Sequence, residues 1–210
     1  MQKQKGLFIT FEGADGSGKT TQSKMLFDYL RSSGYDVIAT REPGGTLAGE
    51  RIREILLDPV CKMGKRTETY LYLAVRAEHV DEVVQPALDA KKIVISDRFS
   101  DSTFVYQGMV RGLEEKTIYT LNDFAAAGIE PDITFLLDAE PEVLQKRMDK
   151  RNTADRIEQE GLIFQKKVRE GFLQLAQKYP DRIVKLDALR EADEIQEEIR
   201  NKVKEKFLQG

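Results

Sequence analysis

Residues 13–20 read GADGSGKT and follow directly on the apolar run Leu7-Phe8-Ile9-Thr10-Phe11. Glycines placed there give up helix and strand stability, so the loop must gain something else. After it, Met25, Leu26, Tyr29 and Leu30 recur at helical spacing. Strand, glycine loop and helix together are the context in which G-x-x-x-x-G-K-[ST] signifies phosphate binding. Gly13, Gly16 and Gly18 let the backbone curl, so that successive N–H groups from Gly13 through Ala14, Asp15, Ser17 and on to Thr21 converge on phosphate oxygens. The following helix adds the positive end of its dipole. Lys19 would reach the β- and γ-phosphates, and the Thr20 hydroxyl would take a place on Mg²⁺. The stretch predicts binding of a nucleoside triphosphate.

Working outward, apolar β-branched runs recur at Val37–Thr40, Ile93–Ser96, Ile133–Leu137 and Ile183–Leu186. Short runs of this kind, separated by helical patterns, mark parallel strands buried on both faces. The helical patterns are Ile52, Ile55 and Leu56; then Leu71, Val75, Val80 and Val84; then Glu142–Met148 opened by Pro141; and last Ile195, Ile199, Val203 and Phe207. With no repeat, low-complexity tract or linker to divide it, the chain reads as one α/β domain over 1–210. Its core is a five-stranded parallel sheet surrounded by helices. Ligands of such sheets bind beyond the carboxyl ends of the strands, where every motif discussed here falls.

Composition narrows the function classes. Lys and Arg number 33 against 36 acids, a net charge of −3, which argues against nucleic-acid binding. A single cysteine, Cys61, precludes an intrachain disulfide and reads as an idle thiol. The single histidine, His79, reads as a helix-surface or packing residue. No apolar stretch is long enough to span a bilayer and the first residues lack the apolar segment of a signal peptide, so a cytoplasmic protein with no membrane partner is expected.

Triphosphate binding alone names no reaction. A GTPase needs a base-reading N-K-x-D element, and NKVK at 201–204 lacks the Asp. The third apolar run ends IVISDRFSDS, where Asp97 is followed by Arg98 instead of the Asp-Glu of transport-type ATPases. An arginine there would meet a further anion, which points to a second phosphorylated substrate and hence a small-molecule kinase.

Five stretches in order, FEGADGSGKTTQ, TREPGGT (40–46), YLYLAVRAEH (70–79), SDRFSDSTFVYQG (96–108) and DRIEQE (155–160), closely resemble the bacterial thymidylate kinase family, a branch of the P-loop nucleoside monophosphate kinases. The resemblance runs from about residue 6 to the last helix. It implies transfer of the γ-phosphoryl group of ATP to dTMP, with Mg²⁺, giving dTDP and ADP, and it implies a homodimer.

By that resemblance Arg98 holds the dTMP phosphate, assisted by Arg41 or Arg53. Tyr72 stacks on thymine where many relatives carry Phe. Arg76, one turn on, donates to a thymine carbonyl; Thr103 and Gln107 contact the base; Tyr106 lies near the sugar. Asp15 approaches the acceptor sugar or a Mg²⁺-bound water as a positioning group, and Asp97 holds Mg²⁺ through water. A cis Glu42–Pro43 bond is expected to turn Arg41 and Glu42 toward the acceptor. Where some relatives carry a catalytic arginine within the glycine loop, this chain has Gly16. The charge is then expected from a mobile lid at about 146–160, whose KRMDKRNTADR carries Arg147, Arg151 and Arg156. Arg151 is the expected transition-state arginine and Arg147 the one packing on adenine. A deoxynucleoside kinase would instead need a base beside an uncharged 5′-hydroxyl, and a nucleotide-dependent switch would need no acceptor cluster.

Overall fold

The computed structural model describes residues 6–148 and 156–207. Five strands, β1 (Leu7–Glu12), β2 (Val37–Arg41), β3 (Ile93–Asp97), β4 (Ile133–Asp138) and β5 (Ile183–Asp187), form one sheet in the order β2-β3-β1-β4-β5. Every pairing is parallel, as expected. Each strand runs one residue past its apolar run, and each added residue is charged: Glu12, Arg41, Asp97, Asp138 and Asp187. The hydrophobic pattern stops where the carboxyl edge of the sheet begins.

Helices α1 (Lys19–Ser32), α2 (Leu47–Leu57), α3 (Lys65–His79), α4 (Gln85–Asp89), α5 (Ser100–Thr103), α6 (Glu115–Ala125), α7 (Pro141–Met148), α8 (Leu162–Lys178) and α9 (Ala192–Phe207) surround the sheet. The third helical pattern is α3 continued into α4 through a π-wound stretch, Val80–Val84. A second π-wound stretch, Phe104–Val110, extends α5. Thr46 caps α2 by accepting from Gly49 N at 2.9 Å, satisfying one of the donors that open a helix.

Alternation along the strands divides the core between the two faces. Ile9 and Phe11 of β1 and Ile93 and Ile95 of β3 join one cluster with Leu26 and Leu30 of α1 and Ile199 and Val203 of α9. Phe8 and Val94 belong to the other, with Val80, Val84 and Phe99. A sheet covered on both faces leaves its ends for chemistry. Thr40, Ser96, Thr10 and Thr134 stand level across four strands, and Thr10 Oγ1 and Thr134 Oγ1 are hydrogen-bonded at 2.7 Å.

Candidate active site

The glycine loop leaves β1 and enters α1. Gly13 has φ 136°, and a Cβ there would lie 2.4 Å from the Leu137 carbonyl oxygen. Gly16 has φ 79°, and its Cβ would meet Met148 Cγ at 3.0 Å and the Leu144 carbonyl at 3.2 Å. The loop is thus pressed against β4 on one side and α7 on the other, and only glycine fits. Lys19 is buried; its Nζ donates to the Ala14 carbonyl at 2.9 Å and stands 3.8 Å from Asp15 Oδ1. Burial, with the nearby Arg98 charge, holds the Lys19 ammonium below its ordinary range against the opposing pull of Asp15, Asp97 and Glu12.

Thr20 opens α1, and its Oγ1 donates to Asp97 Oδ2 at 2.5 Å, joining the loop to the end of β3. The two residues assigned to the metal, Thr20 by the loop motif and Asp97 by resemblance, are therefore neighbours. A hydroxyl and a carboxylate are hard oxygen donors of the kind Mg²⁺ takes together with phosphate oxygens and water, so the pair fits that ion.

Arg98 follows β3 with φ 73°, a left-handed backbone that costs a non-glycine residue about 1 kcal/mol or more. Its amide donates to the Phe11 carbonyl at 2.9 Å and its carbonyl accepts from Ser96 Oγ at 2.7 Å, which fixes the turn. The guanidinium donates to Asp15 Oδ1 at 2.6 Å and Ser102 Oγ at 3.1 Å, and lies 5.4 Å from the Tyr106 ring centroid. Beneath it is Glu12, a buried acid that the sequence reading passed over. Glu12 accepts from the Phe99 amide at 2.8 Å and Ser102 Oγ at 2.6 Å, and stands 3.9 Å from Arg98 Nη1. Burial, with the nearby Asp101 carboxylate, raises its carboxyl from 4.5 to about 7, although Arg98, Ser102 and the Phe99 amide pull downward.

On the other side of the cavity Glu42–Pro43 is a cis bond. Glu42 is buried: Oε2 accepts from Arg76 Nε at 3.0 Å and Nη2 at 2.7 Å, and Oε1 lies 2.9 Å from His79 Nδ1. Burial pushes the Glu42 carboxyl up, but Arg76 and His79 outweigh it and hold the group below its usual range. Arg76 Nη1 donates to Thr103 Oγ1 at 2.7 Å and to Asn122 Oδ1. Of the two readings of His79, surface or packing residue, the structure bears out the second: it is fully buried, with Nε2 2.7 Å from Thr40 Oγ1. A ring that bridges two polar groups is what permits burial of a histidine.

Arg41 Nη2 lies 3.0 and 2.8 Å from the two Glu50 oxygens, and Arg53 Nη1 donates to the Pro43 carbonyl at 2.7 Å. Tyr72 is half-buried; Tyr106 is buried between Phe164 and Phe172, and its hydroxyl makes no hydrogen bond among the described residues. Burial pushes both phenols well above their ordinary range, so both stay neutral.

Most of these groups open into one cavity of about 780 Å³; Glu12 and His79 lie behind its walls. Asp15, Gly16, Gly18, Lys19, Thr20, Thr21 and Asp97 line its donor side. Arg41, Glu42, Pro43, Arg53, Tyr72, Arg76, Arg98, Thr103, Tyr106 and Gln107 line the other. Gly13, Ala14 and Ser17 shape the loop without lining the cavity. Arg147 also lies outside the lining; its Nη1 donates to the Ala188 carbonyl at 3.1 Å. Arg151 lies outside the described residues. Arg156 is tied to α2 and α3, with Nε on the Leu56 carbonyl at 2.8 Å and Nη1 on Glu68 Oε2 at 2.7 Å. Cys61 donates to Asp58 at 3.4 Å, a bond that pushes its thiol pKa up, as befits an idle thiol.

The family model of thymidylate kinase matches residues 11–199 of this chain. A thymidylate kinase of Thermoanaerobacter sp. (strain X514) is 47% identical over 204 residues, covering 97% of this chain and 100% of the relative. One from Maridesulfovibrio salexigens is 48% identical over 209 residues, covering 96% of each. The crystal structure of thymidylate kinase from Ehrlichia chaffeensis superposes with a TM-score of 0.78 at 37% identity, covering 95% of this chain and 99% of that one. By sequence over nearly its whole length and by fold, this chain belongs to the thymidylate kinase family.

Proposed function

We propose that the glycine loop receives ATP, that dTMP lies opposite with its phosphate on Arg98, and that the chain moves the γ-phosphoryl group from one to the other. The observation that carries this reading is that two cations beyond different strand ends, buried Lys19 and half-buried Arg98, open into one cavity and share Asp15. A switch protein needs only the first of them. A kinase joining two anions needs both, because mutual repulsion has to be neutralised and the oxygens held in line.

A non-bridging oxygen of the dTMP phosphate attacks the γ-phosphorus, the bond from that phosphorus to the β,γ-bridging oxygen breaks, and ADP leaves with the electron pair. No general base is required, since a phosphate dianion is already a nucleophile at neutral pH. Lys19 compensates charge on the donor side and Arg98 on the acceptor side. Asp15 orients Arg98 and thereby acts as a positioning group. Thr20, and Asp97 through water, would hold Mg²⁺, which would supply further positive charge at the phosphates. Tyr72 stacks on the base, Arg76 donates to its carbonyl, and Arg53 with Arg41 reinforces the acceptor phosphate site.

The lid is assigned the remaining cation, with Arg151 at the transferring group and Arg147 on adenine. Support comes from Gly16, where the contact with α7 leaves no room for a loop arginine. An arginine that arrives on closure also limits transfer to water. A homodimer through α2 and α3 is supported by exposed Ile55 and Tyr70 on those helices, and light scattering on the purified protein checks it. Among the described residues no helix is long and apolar enough to cross a membrane.

The deciding experiment is coupled ADP release with ATP and Mg²⁺, comparing dTMP, dUMP, dCMP and thymidine. The expected order puts dTMP first and thymidine at background. Equal use of thymidine, or ADP release indifferent to dTMP, overturns the reading.

A further inference from the structure

Glu68 of α3 is almost fully buried, 1% exposed, yet no ligand role is assigned to it. Its Oε1 accepts from Gln107 Nε2 at 2.9 Å and from Arg111 Nε at 3.1 Å. Its Oε2 accepts from Arg111 Nη2 at 3.1 Å and Arg156 Nη1 at 2.7 Å. Burial alone would push this carboxyl up, but the hydrogen bonds from Arg111, Gln107 and Arg156 outweigh it and hold it below its ordinary range. It is a carboxylate, and a carboxylate can only accept.

That decides the polarity of a neighbour. An amide side chain offers a donor at one end and an acceptor at the other. Gln107 lines the cavity and gives one of its two amide hydrogens to Glu68, which fixes the nitrogen on the Glu68 side and leaves Oε1 as the acceptor end. Arg76 is oriented in a related way: Glu42, Thr103 and Asn122 receive four of its five N–H groups, leaving one hydrogen on Nη2. A cavity wall presenting one donor and one acceptor fits a pyrimidine edge with C4=O beside N3–H. Cytosine offers the reverse, an amino group beside an unprotonated N3, so donor would face donor and acceptor face acceptor.

We propose that Glu68 is a positioning residue for base recognition: it locks the Gln107 amide with Oε1 toward the base, so that thymine and uracil are accepted and cytosine is refused. The inference rests on the dTMP reading of the cavity. Arg111 and Arg156 serve it by keeping the carboxylate charged and fixed. A purely structural Glu68 would affect every acceptor alike, whereas a polarity lock affects the ratio between them.

The test compares kcat/KM for dTMP, dUMP and dCMP at saturating ATP and Mg²⁺ in the unmodified protein, Glu68→Gln and Glu68→Asp. In Glu68→Gln the new amide can present oxygen or nitrogen, so Gln107 is free to turn over. Use of dTMP and dUMP is expected to fall about tenfold relative to dCMP, with the dTMP to dUMP ratio unmoved. Glu68→Asp, still acceptor-only, is expected to restore most of the discrimination. A folded Glu68→Gln with an unchanged dTMP to dCMP ratio, or with all three acceptors falling in parallel, overturns the proposal.

If Glu68→Gln fails to fold by circular dichroism, NMR on the unmodified protein decides. The Gln107 side-chain amide, assigned by its loss in Gln107→Leu, is expected to exchange its hydrogens slowly with and without dTMP. Fast exchange overturns the lock. Failure of the unmodified protein to use dTMP would defeat the functional reading itself, whereas normal dTMP use with an unmoved ratio defeats this inference alone.

Discussion

Arg98 Nη2 donates to Asp15 Oδ1 across 2.6 Å, tying the residue that follows β3 to the middle of the glycine loop after β1. The pair is half-shielded from water, where a charge-assisted bond is stronger than a neutral one. Arg98→Ala is expected to lower kcat/KM for dTMP by about 100-fold or more, mainly through acceptor use, with a smaller effect on KM for ATP. Asp15→Ala frees the guanidinium and is expected to cost less than Arg98→Ala, and the double variant is expected to be no worse than Arg98→Ala alone. Steady-state ADP release in the four proteins checks this; full additivity would show that Asp15 acts independently of Arg98.

Glu12 makes stability fall as pH rises. Its folded pKa of about 7 lies above the ordinary 4.5, so the folded protein holds this proton more tightly than the unfolded chain does. The contribution is complete below pH 4.5 and is lost as pH rises through about 7. Relative to Glu12→Gln, the unmodified protein is expected to lose about 3 kcal/mol of unfolding free energy as pH rises across that window. Urea melts at several pH values measure it, and parallel profiles for the two proteins would contradict it.

Tyr72 tests the stacking role. Tyr72→Phe keeps the ring, and KM for dTMP is expected to stay within about threefold. Tyr72→Ala removes a base–aromatic stack, which costs about 1–3 kcal/mol by such substitution, and KM for dTMP is expected to rise accordingly. Fluorescence titration with dTMP distinguishes the outcomes. Equal effects from both variants would shift the importance from the ring to the hydroxyl.

Gly16→Arg imitates the loop-arginine relatives and is expected to fail here. The position has φ 79° with Met148 Cγ 3.0 Å from where a Cβ would stand. A side chain there costs about 1–2 kcal/mol in backbone strain before the displacement of α7 is counted. A lower melting temperature and weaker ATP binding are expected; restored or increased turnover would mean that the loop and α7 separate easily.

The sheet was legible because β1 to β5 are carried by short apolar runs, and the glycine loop because its spacing admits few other readings. The order β2-β3-β1-β4-β5 was not, since no local pattern records which strand lies beside which. Helix α8 escaped notice although Phe164, Val168, Phe172 and Leu175 carry its buried face. In α6 the pattern is blurred because Asn122, a polar residue, occupies a buried position.

The site divided along the same line. Lys19, Thr20 and Arg98 could be read from the residues, and Asp97, Tyr72, Arg76 and Gln107 only through family resemblance. Glu12 and Glu68 were passed over, and the polar partners of His79 were not foreseen. A charged residue printed in a sequence looks solvated until its partners, here dozens of positions away, are brought to it. Arg156, expected in a mobile lid, is bonded in this conformation to the Leu56 carbonyl and Glu68.

Because β1 and β3 are adjacent and in register from Leu7 and Ile93 to Phe11 and Asp97, the springing points of the two phosphate-gripping turns are one inter-strand step apart, about 4.8 Å. That gauge is set by main-chain hydrogen bonds and not by any side chain. Helices on the flanks can therefore drift in sequence, exchange bulk for bulk and even change partners, while donor and acceptor remain within reach of each other.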